Sequence, residues 1–349
     1  MSSSPVPAAS GSMAGGIPGK RGMVGRRMTL VDPKLPTSLG PSRGPRFFSF
    51  RPARSSALRL LAALAAVALL NSWLAAQGLP TEPERVADGI RLHRLNDPSL
   101  LSPPGPVAVQ LLELDPARVR LDLTLAEDKS PAKETVVDMV RRRKAIAGVN
   151  AGFFVVATGA PAGVLKVDGR VLGVTALPRG AVGILPAEGR QPIRLVFDQL
   201  ALVNHPSRTG QFVYRPRLGT SLKDWSRSPD IVGGAGLLRR AARTLRPMEW
   251  VPERTGEGFR RDRHPRTMIG VGRGGVIWLI TVDGRNPAVS LGMTFAELQR
   301  LAVRVGLRDA LNLDGGGSTT MVVRGEVVNH PSDPTGPRKV SDGILVFSR

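Results

Sequence analysis

Residues Val119-Arg-Leu-Asp-Leu-Thr-Leu125 alternate apolar and polar positions without a break. That is the period of a strand with one buried and one wet face. Val136, Val137, Met139 and Val140 follow with the spacing of a short helix, which ends in the basic run Arg141–Lys144. Such a run is favoured at a helix C-terminus by the backbone dipole. Ala145 to Phe154 reads as strand, loop, strand around Asn150-Ala151-Gly152. Three hairpins are predicted where apolar or β-branched residues flank a turn: Lys166–Val171 around Asp168-Gly169, the Gly272–Gly275 turn, and Val323–Val327 around Arg324-Gly325. Thr294 and Glu297 form a capping box that opens a helix over 295–305, and Gly306 is placed to stop it. Glu297 thereby has a structural task. Many short strands, few helices and no regular β-α alternation predict an α+β fold: a mixed, mainly antiparallel β-sheet system with two or three flanking helices.

The first third of the chain has a different texture. Residues 1–56 are rich in Ser, Pro, Gly and Arg without periodicity, the composition of a disordered basic tail. Within 57–76, eleven apolar residues from Leu60 to Leu70 follow Arg51, Arg54 and Arg59. That length suits the core of a signal peptide better than a full membrane span, with an uncleaved anchor as the alternative. Either one places the rest outside the cytoplasm: periplasmic, extracellular, or anchored at the inner membrane and associated with it through this segment. Residues 77–104 read as a polar, Pro-containing linker, outside the fold or joining it in part, with 105–349 as the folded domain.

Composition narrows the chemistry. Cysteine is absent, which excludes disulfides, thiolate nucleophiles and thiolate metal sites. Four histidines leave little for a multi-histidine metal centre. The net charge of +21 is concentrated at the front, where the first sixty residues hold ten Lys/Arg against one acid. Aromatics are only 4%, and no groove-binding or base-stacking motif occurs, so nucleic acid is not the expected partner. An anionic glycan, a phosphorylated substrate or a membrane surface fits the charge as well.

The stretch Asn312-Leu-Asp314-Gly315-Gly316-Gly317-Ser318-Thr319-Thr320 concentrates the candidate chemistry. Three consecutive glycines weaken a fold, but they allow close approach of a ligand to a fan of backbone N–H groups. The stretch is no P-loop, because no Lys precedes its hydroxyls. Gly270-Val-Gly272-Arg-Gly-Gly275 satisfies a dinucleotide pattern in letters only, since a strand and not a helix follows it.

Four further segments carry polar residues: Asn150–Phe154, Arg263-His264-Pro265-Arg266-Thr267, Asp283-Gly284-Arg285, and Asn329–Arg338 leading into Ser341-Asp342-Gly343. Taken in this order with the glycine loop, they resemble the phosphodiester glycosidase family over about residues 105–348. Two departures stand out: Ala151, where that family has a second glycine, and Ser341-Asp342, where Asn-Ala is usual. Asp342 is therefore not placed in the site.

The resemblance implies hydrolysis of a sugar-1-phosphodiester at its glycosidic C–O bond, in a cell-surface or extracellular glycan such as an exopolysaccharide. The oxocarbenium-like carbon needs a carboxylate, as nucleophile or as base for water. Asp314 is the first candidate and Asp283 the second, with His264 as an acid/base or as a structural hydrogen bonder. Charge developing on the departing phosphate calls for donors fixed in advance. Arg266 suits this through its bidentate fork. Arg285, Arg338, the N–H groups of Gly315, Gly316 and Gly317, and the hydroxyls of Ser318 and Thr319 can assist. Asn150 and Asn312 can hold sugar hydroxyls or orient a carboxylate; Asp333 joins the substrate side or closes an Asx turn. Oxygen ligands around Asp314 suit Ca²⁺ or Mg²⁺, without a loop of recognised metal spacing, so a divalent cation is left open. Two rival functions share these residues: a non-catalytic exopolysaccharide binding and export protein, and a glycosyl transferase.

Overall fold

The computed structural model describes residues 82–349. Nineteen strands among them form sheets of eight, six and five strands, and every ladder pairing is antiparallel. The predicted strand Val119–Leu125 is present, with Leu121, Leu123 and Leu125 buried, and it pairs with the last strand, Asp342–Ser348. All three hairpins form as expected. The strand, loop, strand reading of Ala145–Phe154 is half right. Ala147–Asn150 is a strand, but beyond it only a single bridge joins Phe154 to Pro161.

Four α-helices occur among the described residues where two or three were expected. Val136–Arg143 and Phe295–Arg304 are the two that periodicity predicts. The first is capped by the Thr135 hydroxyl and ends on Lys144 in the left-handed region. The second shows the Thr294/Glu297 capping box. The additional helices, Leu222–Arg227 and Glu257–Arg261, are six and five residues long. Segments of one to two turns present too few positions for a 3.6-residue period to register.

The linker expected over 77–104 joins the fold in its described part. Glu84–Ala87 and Ile90–Leu95 form a hairpin around Asp88-Gly89, and the second strand pairs along Val109–Leu114. Ile90, Leu92 and Leu95 are buried, so the apolar positions and not the polar ones decide the outcome. Gly89, at φ 70°, supplies the left-handed turn residue. The expected tail and leader segment lie outside the described residues. No helix among the described residues is long and apolar enough to cross a membrane.

One end of this architecture gathers the polar residues. In the eight-stranded sheet Arg266 pairs with Val282, and Met268 with Asn312. In the five-stranded sheet Gly343 pairs with Asn150, and Met321 with Val149. The segment 313–320 therefore runs from the end of Asp309–Asn312 in one sheet to the start of Met321–Val323 in the other.

Candidate active site

The glycine loop lies at that seam, and its residues in turn meet different parts of the fold. Asp314 N–H donates to the Ala151 carbonyl (2.9 Å), and the Asp314 carbonyl accepts from Asn150 Nδ2 (2.7 Å). Gly315 packs on Pro265: a Cβ there would sit 2.7 Å from the Pro265 carbonyl oxygen. Gly316, at φ 61°, lies under Arg285, whose Nη2 would be 3.0 Å from an added Cβ. Gly317 meets Arg338 and Asp333, each with an atom 2.1 Å from where its Cβ would be. Those two residues form a bidentate pair, Nε to Oδ2 at 2.7 Å and Nη2 to Oδ1 at 3.0 Å. Any side chain at Gly317 would displace this pair, which is the physical reason for a glycine here.

Asp314 accepts a hydrogen bond from Gly315 N–H (2.9 Å) and remains partly accessible. Burial pushes its carboxyl up to about 6, and the like charge of Asp342 adds to that. The Ser318 hydroxyl, close to the carboxylate but outside hydrogen-bond geometry, and the Gly315 N–H pull the other way. The hydroxyls of Ser318, Thr319 and Thr320 are all buried without a partner. Orphaned buried hydroxyls are uncommon, and here three stand in sequence on the loop.

Asp342 was not expected in the site, and the structure brings it there. Its carboxylate is buried, accepts from Gly152 N–H and Ser341 Oγ (2.6 Å each), and burial raises it above the usual carboxylate range. Ala151, the other departure from the resemblance, fits without strain, because it is absent from the residues at positive φ.

Asp283 has a different environment. It is buried, and its oxygens accept from Asn329 Nδ2 (2.9 Å), His330 N–H (2.9 Å), Gln110 Nε2 (3.1 Å) and His330 Nδ1 (3.1 Å). A carboxylate so engaged has no free lone pair aimed at a substrate, which corrects its expected place as a reacting group. Asn329 also donates to the Thr319 carbonyl (3.2 Å), tying this cluster to the loop.

Arg266 is corrected too. Its Nε donates to the Met293 carbonyl (2.8 Å) and its Nη2 to those of Phe259 and Asp262 (2.7 and 3.1 Å). The guanidinium lies over the rings of Phe259 and Phe295, 4.9 and 5.0 Å from their centroids. The fork expected to clamp phosphate is therefore occupied. Burial first, then the like charge of Arg285, lowers this guanidinium to about 9. His264 stacks on Phe259 at 6.4 Å, half-buried. Burial, then Arg266 and Arg285, lowers its pKa, which favours neutral imidazole.

The two asparagines are held by the protein, though Asn312 Oδ1 is left buried without a partner. Asn150 Oδ1 accepts from Thr267 Oγ1 (2.7 Å) and Thr320 N–H (3.1 Å), so the whole amide braces the loop. Asn312 Nδ2 donates to the carbonyls of Ala235 and Leu313 (2.9 Å each), and its residue is fully buried. Sequence reasoning missed Gln110, Asn329 and His330. Asn329 and His330 had a visible signal, as the start of the polar segment Asn329–Arg338, and Gln110 had none. No group of three or more His, Asp or Glu side chains suited to a metal ion occurs among the described residues.

The seam thus brings together a carboxylate, a glycine cradle and the guanidiniums of Arg285 and Arg338. The chain belongs to the phosphodiester glycosidase family, whose model matches residues 143–347. It is similar to the N-acetylglucosamine-1-phosphodiester alpha-N-acetylglucosaminidase of Bos taurus, 34% identical over 87 residues, covering 23% of this chain and 16% of that protein. The chain spans no more than 16% of the length of the curated relatives it matches. Among solved structures, a hypothetical protein from Synechocystis superposes with a TM-score of 0.61 at 19% identity, over 75% of this chain and 63% of that one. The zebrafish N-acetylglucosamine-1-phosphodiester alpha-N-acetylglucosaminidase catalytic domain, auto-inhibited by its pro-peptide, gives 0.55 at 21% identity, over 74% and 82%. At these identities the structures show the shared fold alone.

Proposed function

We propose that the protein hydrolyses the glycosidic bond of a sugar-1-phosphodiester in a cell-surface or extracellular glycan. The observation that carries this reading is the arrangement around Asp314. A site-facing carboxylate adjoins a glycine cradle overlain by Arg285 and Arg338, with unpartnered hydroxyls at Ser318 and Thr319. The N-terminal segment outside the described residues supplies the expected route of export.

In the proposed reaction the C1–O bond breaks and its electron pair moves to the phosphate oxygen. Water supplies the oxygen for C1, giving a free sugar and a phosphate monoester. Asp314, ionised, serves the oxocarbenium-like carbon. Arg285, Arg338 and the loop N–H groups stabilise the charge that grows on phosphate, preorganised in a site that needs no rearrangement. Arg338 is itself held by Asp333, which fixes the direction of its guanidinium. Arg266, His264 and Asn150 position the segments that carry these groups.

The test is release of phosphate monoester and reducing sugar from a panel of sugar-1-phosphodiesters, with and without chelator. Turnover that disappears in Asp314→Asn supports the reading. Polymer binding with no product under any ion condition would instead favour an export or assembly protein. Transfer of the sugar to an alcohol in place of water would favour a transferase.

A further inference from the structure

Asp283 and the residues it binds point to a second half of the site. A buried carboxylate engaged by four donors is suited to hold other groups in place. Its most exposed partner is His330, whose Nδ1 it fixes while 69% of the side chain stays open to solvent. Another partner, Gln110, is held from behind by Thr281 Oγ1 (3.0 Å).

His330 and Gln110 both line an open groove of about 660 Å³, within the size range of ligand pockets. Its other walls are mostly apolar: Pro98, Pro104 to Ala108, Val289 and Val328, with Arg94 and Asn96 at the side. The groove is tied to Asp283 through the backbone as well. Ser290 Oγ donates to the Asp283 carbonyl (2.6 Å) and accepts from Ala108 N–H (3.1 Å), and Leu291 N–H donates to the Pro106 carbonyl (2.9 Å).

Strand register shows where the groove lies relative to Asp314. Leu95 pairs with Val109, Val109 with Val282, Val282 with Arg266, and Met268 with Asn312. The groove therefore sits at the same end of the eight-stranded sheet as the glycine loop. Three strand spacings separate Val109–Leu114 from Asp309–Asn312, roughly 14 Å at the usual interval. Asp283 and His330 stand between them. A substrate with its anomeric carbon at Asp314 and its phosphate over Gly316 and Gly317 would extend past His330 towards the groove. The walls at 96–110 lie upstream of residues 143–347, so they are an addition to the part that the family model matches.

We propose that this groove receives the alcohol half of the phosphodiester, a glycosyl or polyol unit bearing the phosphate, and that His330, presented by Asp283, hydrogen-bonds it. The prolines and valines pack on the C–H face of such a unit, and Asn96, Gln110 and His330 meet its hydroxyls. The inference rests on the proposed hydrolysis.

The experiment uses two substrates with the same glycosyl-1-phosphate, one esterified to a hexose and the other to methanol. Val289→Trp, which fills the groove away from Asp314, should lower kcat/KM for the hexosyl diester roughly tenfold, the scale of hydrophobic pocket discrimination. The methyl diester should stay within about twofold by the same comparison. His330→Ala should lose the preference for the hexosyl diester, with partial recovery in His330→Gln. If Val289→Trp, with wild-type melting behaviour, alters both substrates equally or neither, the groove is not the alcohol subsite, while the hydrolase reading stands. If wild-type protein cleaves neither diester, both readings fall.

Discussion

Asp314 and Asp283 each precede a glycine at the end of a strand in the same sheet, yet they occupy opposite circumstances. Asp283 lies within a ring of four donors, whereas Asp314 is partly accessible and accepts only the N–H of the next residue within hydrogen-bond distance. At Asp314 burial outweighs the groups that oppose it, chiefly the Ser318 hydroxyl and the Gly315 N–H, and raises the carboxyl. The number of donors, not residue type or motif, separates the two carboxylates.

The largest expected effect comes from Asp314→Asn. Turnover should fall on the order of 10³–10⁴-fold, as when a reacting group is removed. Its stability should move the other way. The folded carboxyl keeps its proton to about pH 6, while an unfolded Asp loses it near pH 4. Ionisation above that window therefore costs the fold stability, on the order of 2–3 kcal/mol at pH 7. Asp314→Asn should melt higher than wild type at pH 7 and no higher at pH 3.5, measured by calorimetry.

Asp283→Ala sharpens the contrast. It leaves Gln110, Asn329 and the His330 N–H without their acceptor, which should destabilise the protein by about 3 kcal/mol. Activity should fall less than in Asp314→Asn. Equal loss of turnover with unchanged melting would reverse the two assignments.

The pH profile is the next test. If ionised Asp314 is the working form, kcat should rise through about pH 6 and decline below it. Asp342→Asn removes the adjacent like charge, so that limb should move to lower pH. A limb that stays in place would detach Asp342 from Asp314.

The smallest effect is expected from Gly317→Ala. The added Cβ meets the ends of two side chains, Arg338 and Asp333, which can move. Melting should change by less than about 1 kcal/mol, and KM should rise several-fold as the guanidinium is displaced. Unchanged KM would take Arg338 out of the phosphate subsite.

Features that depend on local chemistry were legible in the sequence. The alternation of Val119–Leu125, the Thr294/Glu297 capping box and the turns at Asp168-Gly169 and Arg324-Gly325 each report themselves within a few residues. The hairpin at Asp88-Gly89 carried a weaker signal, since the alternation of Ile90 and Leu92 breaks at His93-Arg94 before Leu95. What sequence could not disclose is where long-range hydrogen bonds end. Arg266 reads as a phosphate clamp until three carbonyls from 259, 262 and 293 are found around it. Asn150 reads as a sugar ligand until Thr267 and Thr320 are seen to meet its Oδ1. Asp342 was set aside for breaking a motif, although its buried charge is what makes it relevant to Asp314.

The glycine loop is also the seam between the eight-stranded and five-stranded sheets. Strand Asp309–Asn312 enters it from one and Met321–Val323 leaves into the other. Grafting the loop onto another scaffold would therefore transfer its letters without its shape, since that shape is imposed by at least five separate segments. Its sequence can drift only in step with those segments, so change in this site should come in coordinated sets of substitutions.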